Sequence, residues 1–92
     1  MIKEVCVENF TNVPLMIERG ADRIELNNDL SVGGTTPSFG VIKKTVEYAH
    51  KHDVPVIVMI RPRGGNFVYN EDELEVMIND IQICSLLGVD GV

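Results

Sequence analysis

The chain has 92 residues, 45% of them hydrophobic, with a formal net charge of −6 at pH 7 and a sequence pI of about 4.7. This length predicts one small domain over residues 1–92, and the acidic balance excludes nucleic acid and anionic membrane as expected partners. No apolar stretch reaches the roughly 20 residues that span a bilayer, and the N-terminus lacks a signal-peptide core, so the expected compartment is the cytoplasm.

Strand and helix patterns alternate from the N-terminus onwards. A short strand over residues 3–7, predicted to be buried, precedes a helix over about 11–19, whose first turn accepts Pro14. A second strand over 21–26 leads into a polar connection over 27–35, which is long enough to be a functional loop.

The second half of the sequence repeats this order. Thr36 is the predicted N-cap of a second helix, with Pro37 at its first position. A β-branched strand follows over 54–60, and a loop over 61–69 separates it from a third helix. The predicted buried face of the second helix carries Phe39, Ile42, Val46 and Ala49.

The third helix has a start signal and an apolar stripe. Asn70 and Glu73 match a capping box, and residues 89–92 begin a fourth strand after the helix. The predicted stripe consists of Leu74, Met77, Ile78 and Ile81. The resulting β-α-β-α-β-α-β order predicts an α/β fold of parallel (βα) units with right-handed crossovers.

Polar side chains fall on one face of each predicted strand, because side chains alternate across a strand. An open sheet with helices on both faces would bury these charges at a cost of several kcal/mol for each unpaired one. The interior of a barrel instead opens to solvent at the C-terminal strand ends. The pattern therefore favours the N-terminal half of a TIM-type (βα)8 barrel over an open doubly wound sheet. The polar set is Glu4, Cys6, Glu8, Arg23, Glu25, Asn27 and Arg61.

Two arginines and two glycines stand where the third strand ends. Arginine presents a planar fork of donors that fits carboxylate or phosphate, and glycine lets backbone N–H groups approach a ligand closely. We therefore predict a site for a small anionic ligand, in which Glu8 and Glu25 are candidate general acids or bases. The alternative is an internal salt-bridge network between these arginines and glutamates. The predicted ligand-binding residues are Arg61, Arg63, Gly64, Gly65, Asn27, Gly33 and Gly34.

The cysteines and histidines form no close-spaced cluster, so neither a disulfide framework nor a zinc module is predicted. Cys6 lies in a strand and is either a small buried residue or a metal ligand. Cys84 lies on a predicted outer helix, where it is expected to be a packing residue. His50 and His52 are two residues apart, do not share a helix face, and are predicted to be solvated.

Three segments resemble the CutC family, which is named for copper homeostasis. They are Gly-Ala-Asp-Arg-Ile-Glu-Leu at 20–26, Gly-Gly-Thr-Thr-Pro-Ser at 33–38 and Ile-Arg-Pro-Arg-Gly-Gly at 60–65. The resemblance implies a cytoplasmic TIM-type barrel that handles copper, with Cys6 as the candidate Cu(I) ligand. Many relatives carry a cysteine at the position of Asn27, and Cu(I) prefers thiolate and thioether ligands.

The resemblance covers only the N-terminal half of the family's barrel. Open strand edges are then expected to pair with another copy of the chain, which predicts a homo-oligomer. Three functional hypotheses follow: a copper-binding homeostasis protein, a barrel enzyme acting on a small phosphate or carboxylate substrate, and a non-catalytic half-barrel that self-associates.

Overall fold

Strands and helices alternate along residues 1–92 in the computed structural model of the chain. The elements are β1 (Glu4–Glu8), α1 (Val13–Glu18), β2 (Arg23–Asn27), a short 3-10 helix (Leu30–Val32), α2 (Phe39–Lys51), β3 (Val56–Val58) and α3 (Glu71–Leu86). The predicted class, a small α/β domain built from parallel (βα) units, is confirmed. None of the helices is long and apolar enough to cross a membrane.

The three strands form one parallel sheet in the order β1-β2-β3. Glu25 of β2 lies opposite Cys6 on one side and Ile57 on the other. Gly91 pairs with Ile57 in a further parallel bridge, and its carbonyl accepts a hydrogen bond from the Val58 amide at 3.0 Å. Residues 89–92 therefore occupy the position of a fourth strand next to β3, as predicted.

Alternating side chains divide the sheet into an apolar face and a polar face. Ile24 and Leu26 of β2 and Val56 and Val58 of β3 are fully buried on the apolar face. Burying each such side chain contributes about 1.5–3 kcal/mol relative to leaving it exposed. The α2 helix supplies Ile42, Val46 and Ala49 to the same core. The opposite face carries Glu4, Cys6 and Glu8, all of which are exposed.

The start of α2 differs from the prediction. Ser38, not Thr36, is the N-cap, and its Oγ accepts a hydrogen bond from the Val41 amide at 3.2 Å. The Thr36 hydroxyl instead accepts one from the Arg61 amide at 2.8 Å. The third strand is also shorter than the predicted strand over 54–60, since β3 covers only Val56–Val58. Phe39 is 56% exposed, so its predicted place in the core is wrong.

The capping box of α3 is confirmed. Asn70 Oδ1 accepts from the Glu73 amide at 2.8 Å, and Glu73 Oε1 accepts from the Asn70 amide at 3.0 Å. The predicted buried stripe is wrong, because Leu74, Ile78 and Ile81 are 48%, 56% and 41% exposed. Only Cys84 of this helix is buried, because α3 makes few contacts with the other strands and helices of the chain.

His50 is exposed, as predicted, and it also joins the end of α2 to the fourth-strand segment. Its Nε2 lies 2.7 Å from Asp90 Oδ2, which also accepts a hydrogen bond from the Val56 amide at 2.8 Å. Partial burial raises the pKa of Asp90, but the hydrogen bonds from His50 and Val56 outweigh it and hold the pKa below its ordinary value.

Removing the N-cap of α3 is expected to destabilise the protein. In Asn70→Ala the Glu73 amide loses its acceptor, so the free energy of unfolding is expected to fall by about 1 kcal/mol. Urea denaturation followed by circular dichroism measures this change. Asn79→Ala is the control, because Asn79 is exposed on the same helix and a loss of no more than about 0.5 kcal/mol is expected. Equal losses in the two variants would contradict the capping role.

Candidate functional site

Two loops meet at the carboxyl ends of the strands. The first follows β2, and it is closed by an antiparallel bridge in which the amides of Asn28 and Thr35 donate to each other's carbonyls at 2.9 and 2.7 Å. The second follows β3 and runs to the start of α3. Because the ends of neighbouring parallel strands lie at one edge of a sheet, the loops bring together the predicted ligand-binding residues of both segments.

Arg61 connects the two loops through side-chain hydrogen bonds. Its Nη1 donates to the carbonyls of Val32 and Gly34 at 2.5 and 3.1 Å, and its Nη2 donates to the carbonyl of Gly65 at 2.9 Å. The guanidinium group also lies over the Phe67 ring, 4.8 Å from its centre. The residue is only 7% exposed, so an incoming anion would have to compete with these carbonyls for the terminal nitrogens.

The charge of Arg61 has no ionic partner. The three ion pairs of the structure are Arg23–Glu4, His50–Asp90 and Arg63–Glu73. The predicted alternative, a salt-bridge network between the two loop arginines and Glu8 and Glu25, is therefore wrong. A buried guanidinium that donates only to neutral carbonyls retains an uncompensated positive charge, and buried charges are normally paired.

Arg63 organises the second loop and attaches it to α3. Its Nε donates to the Glu73 carboxylate, and its Nη1 and Nη2 donate to the carbonyls of Asn66 and Val68 at 2.7 and 2.8 Å. The hydrogen bond from Arg63 holds the pKa of Glu73 below its ordinary value. The guanidinium also lies 5.0 Å from the centre of the Tyr69 ring. The predicted site thus depends on Glu73, which sequence reasoning had assigned only to the helix cap.

The glycines of the first loop allow close packing at this site. Gly34 has a φ of +95°, and a Cβ atom there would lie 2.5 Å from Asn27 Oδ1. A Cβ atom on Gly33 would lie 3.1 Å from Arg61 Nη1. In the second loop, a Cβ atom on Gly64 would lie 3.3 Å from Val32. Larger residues at these positions would push the loops away from Asn27 and Arg61.

Two polar atoms in this cluster are buried without hydrogen-bond partners. They are Asn27 Oδ1 and Arg61 Nε, in residues that are 1% and 7% exposed. Each such unsatisfied group costs about 1–3 kcal/mol. The Asn27 acceptor and the Arg61 donor therefore lack hydrogen-bond partners in the part of the site where the two loops meet.

The two candidate acids occupy different surroundings. Glu8 Oε1 accepts a hydrogen bond from the Leu30 amide at 2.7 Å and so positions the short 3-10 helix. Glu25 is half-buried, and its Oε1 lies 3.5 Å from Asn27 Nδ2. Glu25 also lines an open cavity of about 320 Å³ on the polar face of the sheet. Of the two, Glu25 is the carboxylate that lines a cavity, whereas Glu8 is exposed on the surface of the polar face.

Cys6 lies on the polar face of β1 and is exposed, so the alternative of a small buried residue is wrong. Partial burial and the neighbouring Glu25 carboxylate raise the pKa of the Cys6 thiol above its ordinary value. Cys84 is 1% exposed and packs in the core, as predicted. No group of three or more His, Cys, Asp or Glu side chains is close enough together to hold a metal ion.

Comparisons with known proteins identify the family to which the chain belongs. A sequence profile described as the CutC family matches residues 1–92. The chain belongs to the CutC family. A CutC family protein of Enterococcus faecalis is 58% identical over 92 residues, which are 100% of this chain and 44% of the relative. A human relative, named a copper homeostasis protein cutC homolog, is 47% identical over 91 residues, which are 99% of this chain and 32% of that protein.

A solved structure shares the backbone of this CutC chain. The crystal structure named for a copper homeostasis protein CutC from Streptococcus agalactiae superposes with a TM-score of 0.94 at 47% sequence identity. The match covers 99% of this chain and 43% of that one. The chain thus spans less than half the length of the relatives that it matches.

Replacing Arg61 is expected to loosen both loops. A lysine ammonium is a single point charge that cannot reproduce the planar fork, so Arg61→Lys leaves carbonyls of one loop unpaired. We expect a loss of about 2–3 kcal/mol in the free energy of unfolding, at about 1 kcal/mol for each hydrogen bond lost. Denaturant unfolding measures the loss, and hydrogen exchange is expected to quicken in residues 28–37 and 61–69.

Arg19→Lys is the matched control for this change. Arg19 is exposed at the end of α1, and its side chain makes no hydrogen bond or ion pair, so its replacement is expected to leave stability unchanged. If Arg61→Lys were as stable as the parent, the Arg61 bonds would not be what holds the loops together.

Proposed function

We propose that this chain forms the N-terminal half of a TIM-type (βα)8 barrel that serves copper homeostasis in the cytoplasm. The observation that carries the proposal is the match to the CutC family along the whole chain, including relatives that are named for copper homeostasis. The parallel (βα) units and the polar face of the sheet agree with half of such a barrel.

The proposed contact for copper is the Cys6 thiol. Met59 supplies a thioether in the same part of the sheet. It lines a cavity together with Glu25, and Glu25 is the cross-strand neighbour of Cys6. One thiol and one thioether do not complete a Cu(I) site, and a raised thiol pKa opposes formation of the thiolate that binds the metal. Cys6 is therefore proposed as a single contact for copper that is carried as cargo.

Titration with Cu(I) against a chromogenic chelator tests this contact. We expect the parent chain to take up Cu(I) and Cys6→Ser to lose this uptake. Because the raised pKa leaves the thiol protonated near neutral pH, each unit of increase in pH is expected to strengthen apparent binding about tenfold. Cys84→Ala is the control, since Cys84 is buried and its removal is expected to leave uptake intact. Uptake by Cys6→Ser equal to that of the parent would refute the contact.

A second function is favoured by the uncompensated charge of Arg61. We propose that a small anionic ligand, a phosphate or carboxylate compound, binds at the mouth formed by the two loops. Arg61 supplies the positive potential, and Asn27 contributes a buried polar side chain. Arg63 is proposed as a second contact for the ligand through a guanidinium group that is also paired with Glu73. The backbone N–H groups of Gly64 and Gly65 are the candidate ligand contacts, because glycines allow close approach. Those of Gly33 and Gly34 donate to the carbonyls of Leu30 and Asp29 at 3.0 and 3.1 Å, so these two glycines shape the loop around the ligand. Glu25 is the candidate acid or base if the bound compound reacts there.

Stabilisation by anions tests the second function. We expect inorganic phosphate or citrate to raise the melting temperature more than sodium chloride at matched ionic strength, because ligand binding to the folded state stabilises it. Arg61→Lys and Arg61→Gln both lose the arginine fork, but only the lysine variant keeps a positive charge. We expect the anion effect to persist in part in Arg61→Lys and to vanish in Arg61→Gln. Equal effects in the two variants would contradict a role for the charge.

A further inference from the structure

The guanidinium group of Arg61 retains hydrogen-bonding capacity beyond its contacts with the two loops. An arginine side chain carries five N–H donors. Those of Arg61 make three hydrogen bonds, to the carbonyls of Val32, Gly34 and Gly65. Two donors therefore remain, including that of Nε, which is buried without a partner. Two donors and one uncompensated positive charge match the two oxygens and the single negative charge of one carboxylate group.

The charge balance around Arg61 favours a singly charged ligand. Arg63, the other arginine of the site, is already paired with Glu73. The chain as a whole has a net charge of −6. A ligand with several negative charges would therefore meet one uncompensated positive charge in a field that is negative overall. A monocarboxylate neutralises Arg61 without adding excess negative charge.

Apolar side chains from both loops lie beside this guanidinium group. Phe67 of the second loop is 74% exposed, and its ring centre lies 4.8 Å from the guanidinium carbon of Arg61. Val32 of the first loop gives its carbonyl to Arg61 and is 42% exposed. Its side chain also meets the second loop, since a Cβ atom on Gly64 would lie 3.3 Å from it. We call Phe67 and Val32 the apolar rim.

The Phe67 ring is the part of the rim that a ligand displaces to reach the free donors. Arg61 is covered by the loops and by this ring, so a ligand reaches Nε only when one of them moves. The loops are held by hydrogen bonds, whereas the ring lies over the charge in a cation–π contact, which is weak at an exposed site. A displaced ring regains apolar contact if the ligand itself carries an apolar group.

We propose that the anion bound at Arg61 is a monocarboxylate whose carboxylate group is attached to an aromatic ring. The carboxylate accepts hydrogen bonds from the free donors of Arg61, and the ligand's ring packs against Phe67 and Val32. This arrangement is typical of ligand sites, in which a few polar groups lie among apolar ones. The inference rests on the anion-binding function proposed above and names the class of anion. Phe67 is the specificity-determining residue, because it contacts the ring and not the charge.

Matched carboxylates test the proposal on the 92-residue chain. Benzoate and acetate carry the same single charge and differ in the ring, so the ratio of their dissociation constants measures the apolar contact. We expect benzoate to bind about tenfold more tightly than acetate, because aromatic packing contributes about this factor. Chemical-shift titration by NMR at constant ionic strength suits weak binding and measures both constants. Benzamide, which has the ring but no charge, is expected not to bind.

Replacing Phe67 separates the ring contact from the charge contact. Phe67→Ala is expected to weaken benzoate binding about tenfold and to leave acetate binding unchanged, since only benzoate reaches the rim. Phe67→Tyr keeps an aromatic ring and is expected to bind benzoate as the parent does. Leu86→Ala is the matched control, because Leu86 is 86% exposed at the opposite end of α3 from the second loop. Its binding of both carboxylates is expected to equal that of the parent.

Three results would overturn the proposal: equal affinity of the parent for benzoate and acetate, unchanged benzoate binding in Phe67→Ala, or tighter binding of both carboxylates in Phe67→Ala. The last result would mean that the ring only obstructs Arg61. Binding of benzamide as tight as that of benzoate would overturn it as well.

Arg61→Gln distinguishes these results from failure of the anion site itself. This variant is expected to lose both carboxylates, because it lacks the positive charge. If it bound both as tightly as the parent, or if the parent bound neither, the anion-binding function would fail together with the inference. If acetate and benzoate bound equally and only through Arg61, the anion site would stand and the aromatic class of ligand would be refuted.

Discussion

The arrangement of the candidate site depends on the hydrogen bonds of one buried guanidinium group. Arg61 joins carbonyls at Val32 and Gly34 in the first loop to a carbonyl at Gly65 in the second. Its own backbone amide and carbonyl bond to Thr36, so the end of β3 is held to the same loop. Loops between strands and helices usually vary in position, but these two are fixed relative to each other by a side chain that has little access to solvent.

Much of the fold follows from patterns that are local in the sequence. The alternation of apolar and polar side chains predicts the two faces of the sheet, because successive side chains in a strand point in opposite directions. The capping box at Asn70 and Glu73 is also local, since its two residues are three apart. The start of α2 is different, because the Thr36 hydroxyl bonds to Arg61, which is 25 residues away. Propensity at a helix start cannot include a partner so distant in the sequence.

The candidate site was located by its residue types, but its contacts were not foreseen. Arginines beside paired glycines at a strand end mark the place where the loops meet, as predicted. The sequence did not reveal that carbonyls would occupy the terminal nitrogens of Arg61, or that Glu73 would bind Arg63. The apolar stripe on α3 is a second case in which the sequence predicts the residue types but not their contacts. Helical periodicity identifies which side chains are apolar, whereas burial depends on whether another element lies against them.

The two roles of Glu73 have an evolutionary consequence. Its carboxylate accepts from the Asn70 amide at the start of α3 and from the Arg63 guanidinium in the loop. A change at position 63 alone would remove the hydrogen bond between the loop and the Glu73 carboxylate but keep the one from the Asn70 amide. A change at position 73 alone would remove both hydrogen bonds. Substitutions at these two positions are therefore expected to covary among related sequences, and position 70 is expected to vary independently of position 63.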